Sequence, residues 1–530
     1  MTRLIRSTEE GLVEGRRDEE TGALVWLGVP YARPSVGDLR WRAPAVPEKR
    51  SGVLEAKKSR APAQQCVAGR IIGSEDCLYL DIEAPGDLRE GERLPVLVHV
   101  HGGNNQRGGS ESGSDGRSLA VAERVIAVGV NHRLGVLGFL PFPVRKGASP
   151  EEKGGNFGLL DIRAALQWVQ RNIASFGGDP GNVTLGGTSA GGRNALAALV
   201  SPLFSGLFSK VLVLSSGILG CDRALARRVH AKAFAEILPG IDAADIEAGD
   251  EAAMDRLLAL PAEKLAALMP DAGIRMAKFP HLFEDGLTVA ALPESSDVCE
   301  ARLRGIPVLI ASGSQEFNFY LPSDPLFAES VRTGEVFSDP VKRAQYSLAS
   351  RIGGLLYERS NLQETADALV RSFGAKVFAL RFCWGADPQI MGERAAFLHG
   401  SKHTIEHEFF FGDGRFDLVS LCPEAFAQEG TKRLRAAMQR ALGNFLRSGD
   451  PGEAGGVRWE PWNPNTGTCL EADAGREEPR FRMADRRLDP DLIAREFEET
   501  GKGLSAKERS EVREALRGRF FSGTFDCRVP

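Results

Sequence analysis

The stretch that most restricts the fold is Gly187-Thr188-Ser189-Ala190-Gly191, with Asn182-Val183-Thr184-Leu185-Gly186 leading in and Gly192-Arg193-Asn194-Ala195-Leu196 leading out. It reads as strand, sharp turn, helix. A G-x-S-x-G serine in that setting sits on a strained turn at a helix N-terminus, with its hydroxyl projecting above a sheet edge. Gly187 and Gly191 leave room for strand and helix to approach closely, and Ala190 can offer its backbone N–H to a developing oxyanion beside Ser189. In a chain with 60 glycines the same pattern also arises by chance. The remaining question is whether the chain supplies partners for such a serine.

A chain of 530 residues, 42% hydrophobic and 26% charged, can bury a large core. Its net charge of -5 gives no basic footprint for nucleic acid or an anionic membrane, so a small-molecule partner is expected. The segment Met1 to Glu10 lacks the apolar core of a signal peptide, and no charge-free run reaches membrane-spanning length. A cytoplasmic location is therefore expected. The eight cysteines, at 66, 77, 221, 299, 383, 422, 469 and 527, form no C-x-x-C pair and no cysteine–histidine spacing suited to zinc. Reduced, mostly buried thiols are expected, with neither metal nor cofactor.

Along the chain, Gly11 to Ala32 alternates apolar and polar residues between glycines and predicts a small antiparallel sheet. Near-continuous apolar runs at 94–100, 125–130, 183–185, 211–214 and 308–311 predict strands covered on both faces. Between two of them, Leu160 to Ile173 places Ile162, Ala165, Leu166, Val169 and Ile173 on one helical face. That alternation predicts an α/β fold, a central sheet flanked by helices. Helix-rich, charge-rich stretches at about 222–270 and 322–374 read as insertions that wall the site, all within one catalytic domain spanning 1–490. The charged remainder, 491–530, reads as a solvated, partly helical tail, with a capping box opening at Ser505 and a stop at Gly518.

Acyl transfer through a serine needs oxyanion donors, a general base and an acid that orients the base, the last two following the serine as Asp or Glu and then His in this architecture. His101-Gly102-Gly103-Asn104 directly follows the apolar run 94–100, where a glycine-rich loop can bring backbone N–H groups close to a substrate oxygen. Downstream of Ser189 stand His230, His281, His399, His403 and His407, among which composition does not choose. Gly400-Ser401-Lys402-His403-Thr404 is a polar loop between apolar segments, the setting in which catalytic histidines usually occur. Glu316 lies in the loop after 307–311, with Glu284 and Asp285 as rivals for the acid.

At this point the chain resembles the type-B carboxylesterases, the carboxylesterase and cholinesterase branch of the α/β-hydrolases, over roughly residues 8 to 470. The resemblance rests on a series in order: Gly28-Val29-Pro30-Tyr31-Ala32, Ser74-Glu75-Asp76-Cys77-Leu78-Tyr79-Leu80, His101-Gly102-Gly103 and Asn131-His132-Arg133-Leu134-Gly135-Val136-Leu137-Gly138-Phe139. Then follow Gly155-Asn156-Phe157-Gly158-Leu159-Leu160-Asp161, Phe176-Gly177-Gly178-Asp179-Pro180, the Ser189 pentapeptide, and Gly449-Asp450-Pro451 with Trp459. It implies the α/β-hydrolase fold, a serine carboxylic-ester hydrolase that needs no cofactor, and small-molecule ester substrates. It implies Ser189 as nucleophile, Glu316 as acid, His403 as base, and the N–H groups of Gly103, Asn104 and Ala190 as oxyanion donors. It also implies that Cys66 and Cys77 lie close enough to bridge. An amidase, lactonase or acyltransferase would use the same triad, and a cholinesterase-like binding domain would keep the fold without turnover.

The departures from the family are local. Asn104 replaces the third loop glycine, Thr188 the glutamate usual before the serine, and His132 a tyrosine. Asn104 is expected to keep its N–H available while its side chain crowds branched alcohol groups or bonds polar ones. The segment Asn105-Gln106-Arg107-Gly108-Gly109 lacks the aromatics of a choline-binding gorge, and Arg107 and Arg193 read as exposed arginines on loop and helix, with contact to an acidic substrate as the alternative.

Overall fold

A nearly continuous apolar run, as in Leu94-Pro95-Val96-Leu97-Val98-His99-Val100, suits a strand with no solvent face, and six of these seven residues are buried. The computed structural model describes residues 4–113, 115–218, 220–268, 279–289, 303–414 and 416–517. They fall into two units, Met1–Leu212 with Ile218–Glu294, and Val213–Gly217 with Ser295–Pro530, the division passing through the strand Lys210–Leu214.

The first unit is built on strands β1 (Leu24–Pro30), β2 (Tyr79–Ala84), β3 (Leu94–Val100), β4 (Ile126–Val130) and β5 (Gly178–Thr188). β3 lies between β4 and β5 and is parallel to both, whereas β2 runs antiparallel to β1 and β4. The sheet expected over 11–32 divides in two. Gly11–Glu14 pairs with Ile5–Thr8, while β1, too apolar to leave a face in water, joins the main sheet through β2. Helix α1 (Phe157–Asn172) buries Ile162, Ala165, Leu166 and Val169, the face read from the sequence, and α2 (Ala190–Val200) follows β5 directly. Helices also occupy 223–235, 243–248, 251–258 and 262–266, with side-chain caps from Asp222 and Asp250 on two of them.

In the second unit, β6 (Pro307–Gly313), α3 (Pro340–Tyr357), β7 (Lys376–Phe382), α4 (Ile405–Phe411), α5 (Glu429–Ser448), β8 (Thr468–Ala474) and β9 (Pro479–Asp485) follow in order. β7 is parallel to β6 and β8, and β9 is antiparallel to β8. β9 is strongly charged, yet Arg480 and Arg482 pair with Asp473 and Glu471 of β8, cross-strand neighbours that let an arginine-rich segment form an edge strand.

The solvated tail is corrected by the structure. Helices α6 (Pro490–Thr500) and α7 (Ala506–Arg517) bury Ile493, Phe497, Val512 and Leu516. They also bond to α3, through Arg351 to Glu496 at 2.9 Å and Gln345 to Glu511 at 2.9 Å. The capping box forms as read, with Glu508 N donating to Ser505 Oγ and Ser505 N to Glu508 Oε2. Gly518, like Cys299 and Cys527, lies outside the described residues. Among the described residues no helix is long and apolar enough to cross a membrane.

Candidate active site

Sheet register brings the serine motif and the glycine loop to one edge. Gly187 of β5 is the pairing partner of Val100 of β3, so both strands end side by side, with Ser189 and His101 beginning the turns beyond. Ser189 adopts φ 55 and ψ -119, a backbone that non-glycine residues rarely hold. Gly191 permits this tight passage into α2, because a β-carbon there would sit 2.0 Å from the carbonyl oxygen of Val100. The loop in turn backs onto the serine, and a β-carbon on Gly102 would lie 3.2 Å from that of Ser189. Thr188 is buried, its hydroxyl 3.0 Å from Nε2 of His99 on the neighbouring strand.

Beyond Gly102 the backbone of Gly103, Asn104 and Asn105 has φ of 105, 56 and 55. The Asn104 amide is engaged on both atoms, accepting from Arg193 Nη2 at 2.7 Å and donating to Gln106 Oε1 at 2.9 Å. Asn105 and Asn194 exchange reciprocal amide hydrogen bonds of 3.0 and 2.8 Å. Arg107 is exposed as read, whereas Arg193 is only 6% exposed, so the reading of both as surface charges is corrected for Arg193. Buried His101 donates from Nδ1 to the Gly102 carbonyl at 2.7 Å, and desolvation pushes its pKa down to about 4. It is thus neutral and holds the loop rather than carrying charge.

In the second unit, Glu316 and His403 meet. Glu316 is fully buried after β6, and its Oε2 bonds Nδ1 of His403, which is also buried. Its other oxygen accepts from Gly313 N at 2.6 Å, Ser215 Oγ at 2.6 Å and Ser312 Oγ at 3.0 Å. Such a set of donors holds a carboxylate in one orientation and leaves Nε2 as the ring atom directed away from it. Tyr357 Oη stands 3.3 Å from Nδ1 of His403 and donates to the Ser215 carbonyl at 3.1 Å. A second buried carboxyl, Glu406, lies 2.6 Å from the Ser215 hydroxyl. Desolvation and the neighbouring charge of Glu316 push its pKa up to about 8.

Asp285, His230, His281 and His407 are engaged elsewhere. Asp285 Oδ1 accepts from the N–H groups of Leu287, Thr288 and Val289, an arrangement that builds a turn. Buried His230 and His281 bond backbone carbonyls of Pro280 and Phe279, and His407 stacks on Phe411 with ring centroids 4.2 Å apart.

A model of the carboxylesterase family matches residues 2–350. The para-nitrobenzyl esterase of Bacillus subtilis (strain 168) is 32% identical over 503 residues, 89% of this chain and 96% of that protein. The chain belongs to the carboxylesterase family. Among solved structures, a thermophilic PNB esterase superposes on this carboxylesterase with a TM-score of 0.72 at 28% identity, covering 97% of this chain and 100% of that one. A Geobacillus stearothermophilus carboxylesterase gives 0.68 at 27% identity over 93% and 99%. The α/β-hydrolase fold and serine carboxylic-ester hydrolysis follow for this carboxylesterase.

The sequence reading of this carboxylesterase missed Ser215, Glu406, Tyr357, Asn105 and Asn194. Ser215 carried one signal, its position at the end of the apolar run 211–214. Glu406 and Tyr357 carried none, since one glutamate in a helix or one tyrosine among apolar residues has no local signature. Cys66 and Cys77 are both free thiols, as are Cys221, Cys383, Cys422 and Cys469.

Proposed function

We propose that Ser189 is the nucleophile of this carboxylesterase, His403 its general base and Glu316 the acid that orients the base. The observation that carries this reading is the strained backbone of Ser189 between β5 and α2, kept at a non-glycine residue where glycine would be easier. The buried hydrogen-bonded pair of Glu316 and His403 also supports it. His403 takes the serine proton as Ser189 Oγ attacks the ester carbonyl, and Glu316 stabilises the imidazolium that forms. The N–H groups of Gly103, Asn104 and Ala190 receive the oxyanion. Collapse expels the alcohol, protonated by His403, and water then repeats the sequence on the acyl-serine.

Small-molecule esters are the substrates, residues 1–490 carry the catalytic machinery, and the site of action is the cytoplasm, a reducing compartment that suits the free thiols of Cys66 and Cys77. A serine-directed phosphonate is expected to label Ser189 alone, and Ser189→Ala to lower kcat by roughly four orders of magnitude or more in a folded protein. Esters, amides and lactones assayed side by side should rank esters first.

A further inference from the structure

Gly103, Asn104 and Asn105 hold positive φ in succession, and two of the three are asparagines, which enter that region more readily than other residues with a β-carbon but less freely than glycine. Loop residues in that state relax unless something outside the loop holds them. Here both asparagines are held by neighbouring residues of one helix: Arg193 donates to the Asn104 amide, and Asn194 pairs reciprocally with the Asn105 amide. Asn104 Nδ2 donates to Gln106 Oε1, and Gly135 N donates to the Asn105 carbonyl at 2.7 Å. Asn105 and Asn194 are 1% and 0% exposed, so little water competes for their reciprocal pair, while Arg193, 6% exposed, reaches the half-buried Asn104 amide.

Ala190, Arg193 and Asn194 stand at i, i+3 and i+4 on α2, which puts them on one helical face. We propose that Arg193 and Asn194 are positioning residues that clamp the loop to α2 at two points, fixing the Gly103 and Asn104 N–H groups against that of Ala190. The proposal rests on the assignment of those three N–H groups as the oxyanion hole. A single attachment would let the loop pivot; two, one of them a reciprocal amide pair, fix both distance and orientation. A buried guanidinium is costly to desolvate, and its charge-assisted bond to Asn104 gives it a use that an apolar residue could not serve.

The test uses the full-length protein with p-nitrophenyl acetate as substrate and a trifluoromethyl ketone as the tetrahedral analogue. Arg193→Ala and Asn194→Ala are each expected to lower kcat by up to about 100-fold with KM within about threefold, the cost of misplacing an oxyanion donor by about an ångström rather than losing it. Affinity for the ketone should fall by the same factor as kcat/KM, and guanidinium ion should restore part of the Arg193→Ala loss. In an Asn104→Gly background, where the tether has no target, Arg193→Ala should cost less than about threefold. If Arg193→Ala fails to fold, Arg193→Lys serves, with ketone affinity expected to fall about threefold to tenfold at an unchanged Tm. Unchanged ketone affinity in the folded variants, a loss confined to KM, or an equal cost in both Asn104 backgrounds would overturn the clamp. Failure of the phosphonate to label Ser189 in the unaltered protein would instead overturn the nucleophile assignment, so the two failures are distinguishable.

Discussion

The carboxyl groups of Glu316 and Glu406 share a single hydroxyl, that of Ser215, whose Oγ lies 2.6 Å from an oxygen of each. One O–H can be donated to only one of them at a time. A consistent proton arrangement has Glu406 protonated and donating to Ser215, and Ser215 donating to an ionised Glu316. The upward shift of Glu406 to about 8 fits that order.

A stability prediction follows from this arrangement. A carboxyl whose pKa is raised on folding contributes stability that is complete below its unfolded value, near 4.5, and is lost as pH rises through about 8. Glu406→Gln keeps the neutral form at all pH. The difference in unfolding free energy between variant and parent should therefore grow in the variant's favour from about pH 4.5 to 8, by up to about 1.4 kcal/mol per pH unit, and level off above. Thermal unfolding at a series of pH values measures it. A difference independent of pH would show that Glu406 is not the protonated partner.

Two glycines at the serine edge separate a local effect from a global one. A β-carbon on Gly102 would meet Thr188 O at 3.0 Å and the Ser189 β-carbon at 3.2 Å, contacts that a shift of a few tenths of an ångström relieves. Gly102→Ala should fold with Tm within a few degrees of the parent and lose roughly tenfold in kcat, because the elbow and loop move apart. On Gly191 the same β-carbon would penetrate the Val100 carbonyl at 2.0 Å, where both sides are backbone. Gly191→Ala should cost more than about 3 kcal/mol and yield little soluble protein. Soluble expression and calorimetry of the pair decide it, and equal behaviour would contradict the packing described.

The C-terminal helices provide a third expectation. Phe497 is fully buried on α6, with the Arg513 guanidinium 5.0 Å from its ring centroid. Phe497→Ala should destabilise by about 3–5 kcal/mol, the usual cost of removing a buried phenylalanine. A solvated tail would instead tolerate it within about 0.5 kcal/mol. Chemical denaturation distinguishes the two.

Much of the site was legible in the sequence because it is encoded locally. The Ser189 turn requires small residues at fixed offsets, and the glycine loop follows directly on an apolar strand, so short-range sterics write both into contiguous residues. Helix α1 was readable for the same reason, since a 3.6-residue period needs no partner to be visible. The choice of His403 and Glu316 was not local. Loop position favoured His403 and Glu316 without excluding the rival histidines and carboxylates, the family resemblance ordered them, and in the structure Glu316 bonds His403.

What only the tertiary structure decided involves pairs far apart in the chain. Ser215 and Glu406 are 191 residues apart, and Asn104 and Arg193 are 89 apart. Nothing in the neighbourhood of Arg193 distinguishes it from an exposed helical arginine, and nothing around Glu406 distinguishes it from a solvated glutamate. Their burial follows from which surfaces pack together. The tail misled for the same reason: its charge is real, but helix formation gathers Ile493, Phe497, Val512 and Leu516 out of a polar sequence, and bonds from α3 hold the result. Sequence thus fixes the groups that must be close by covalent spacing, while desolvation and long-range partners, which set orientation and proton position, exist only once the chain has folded.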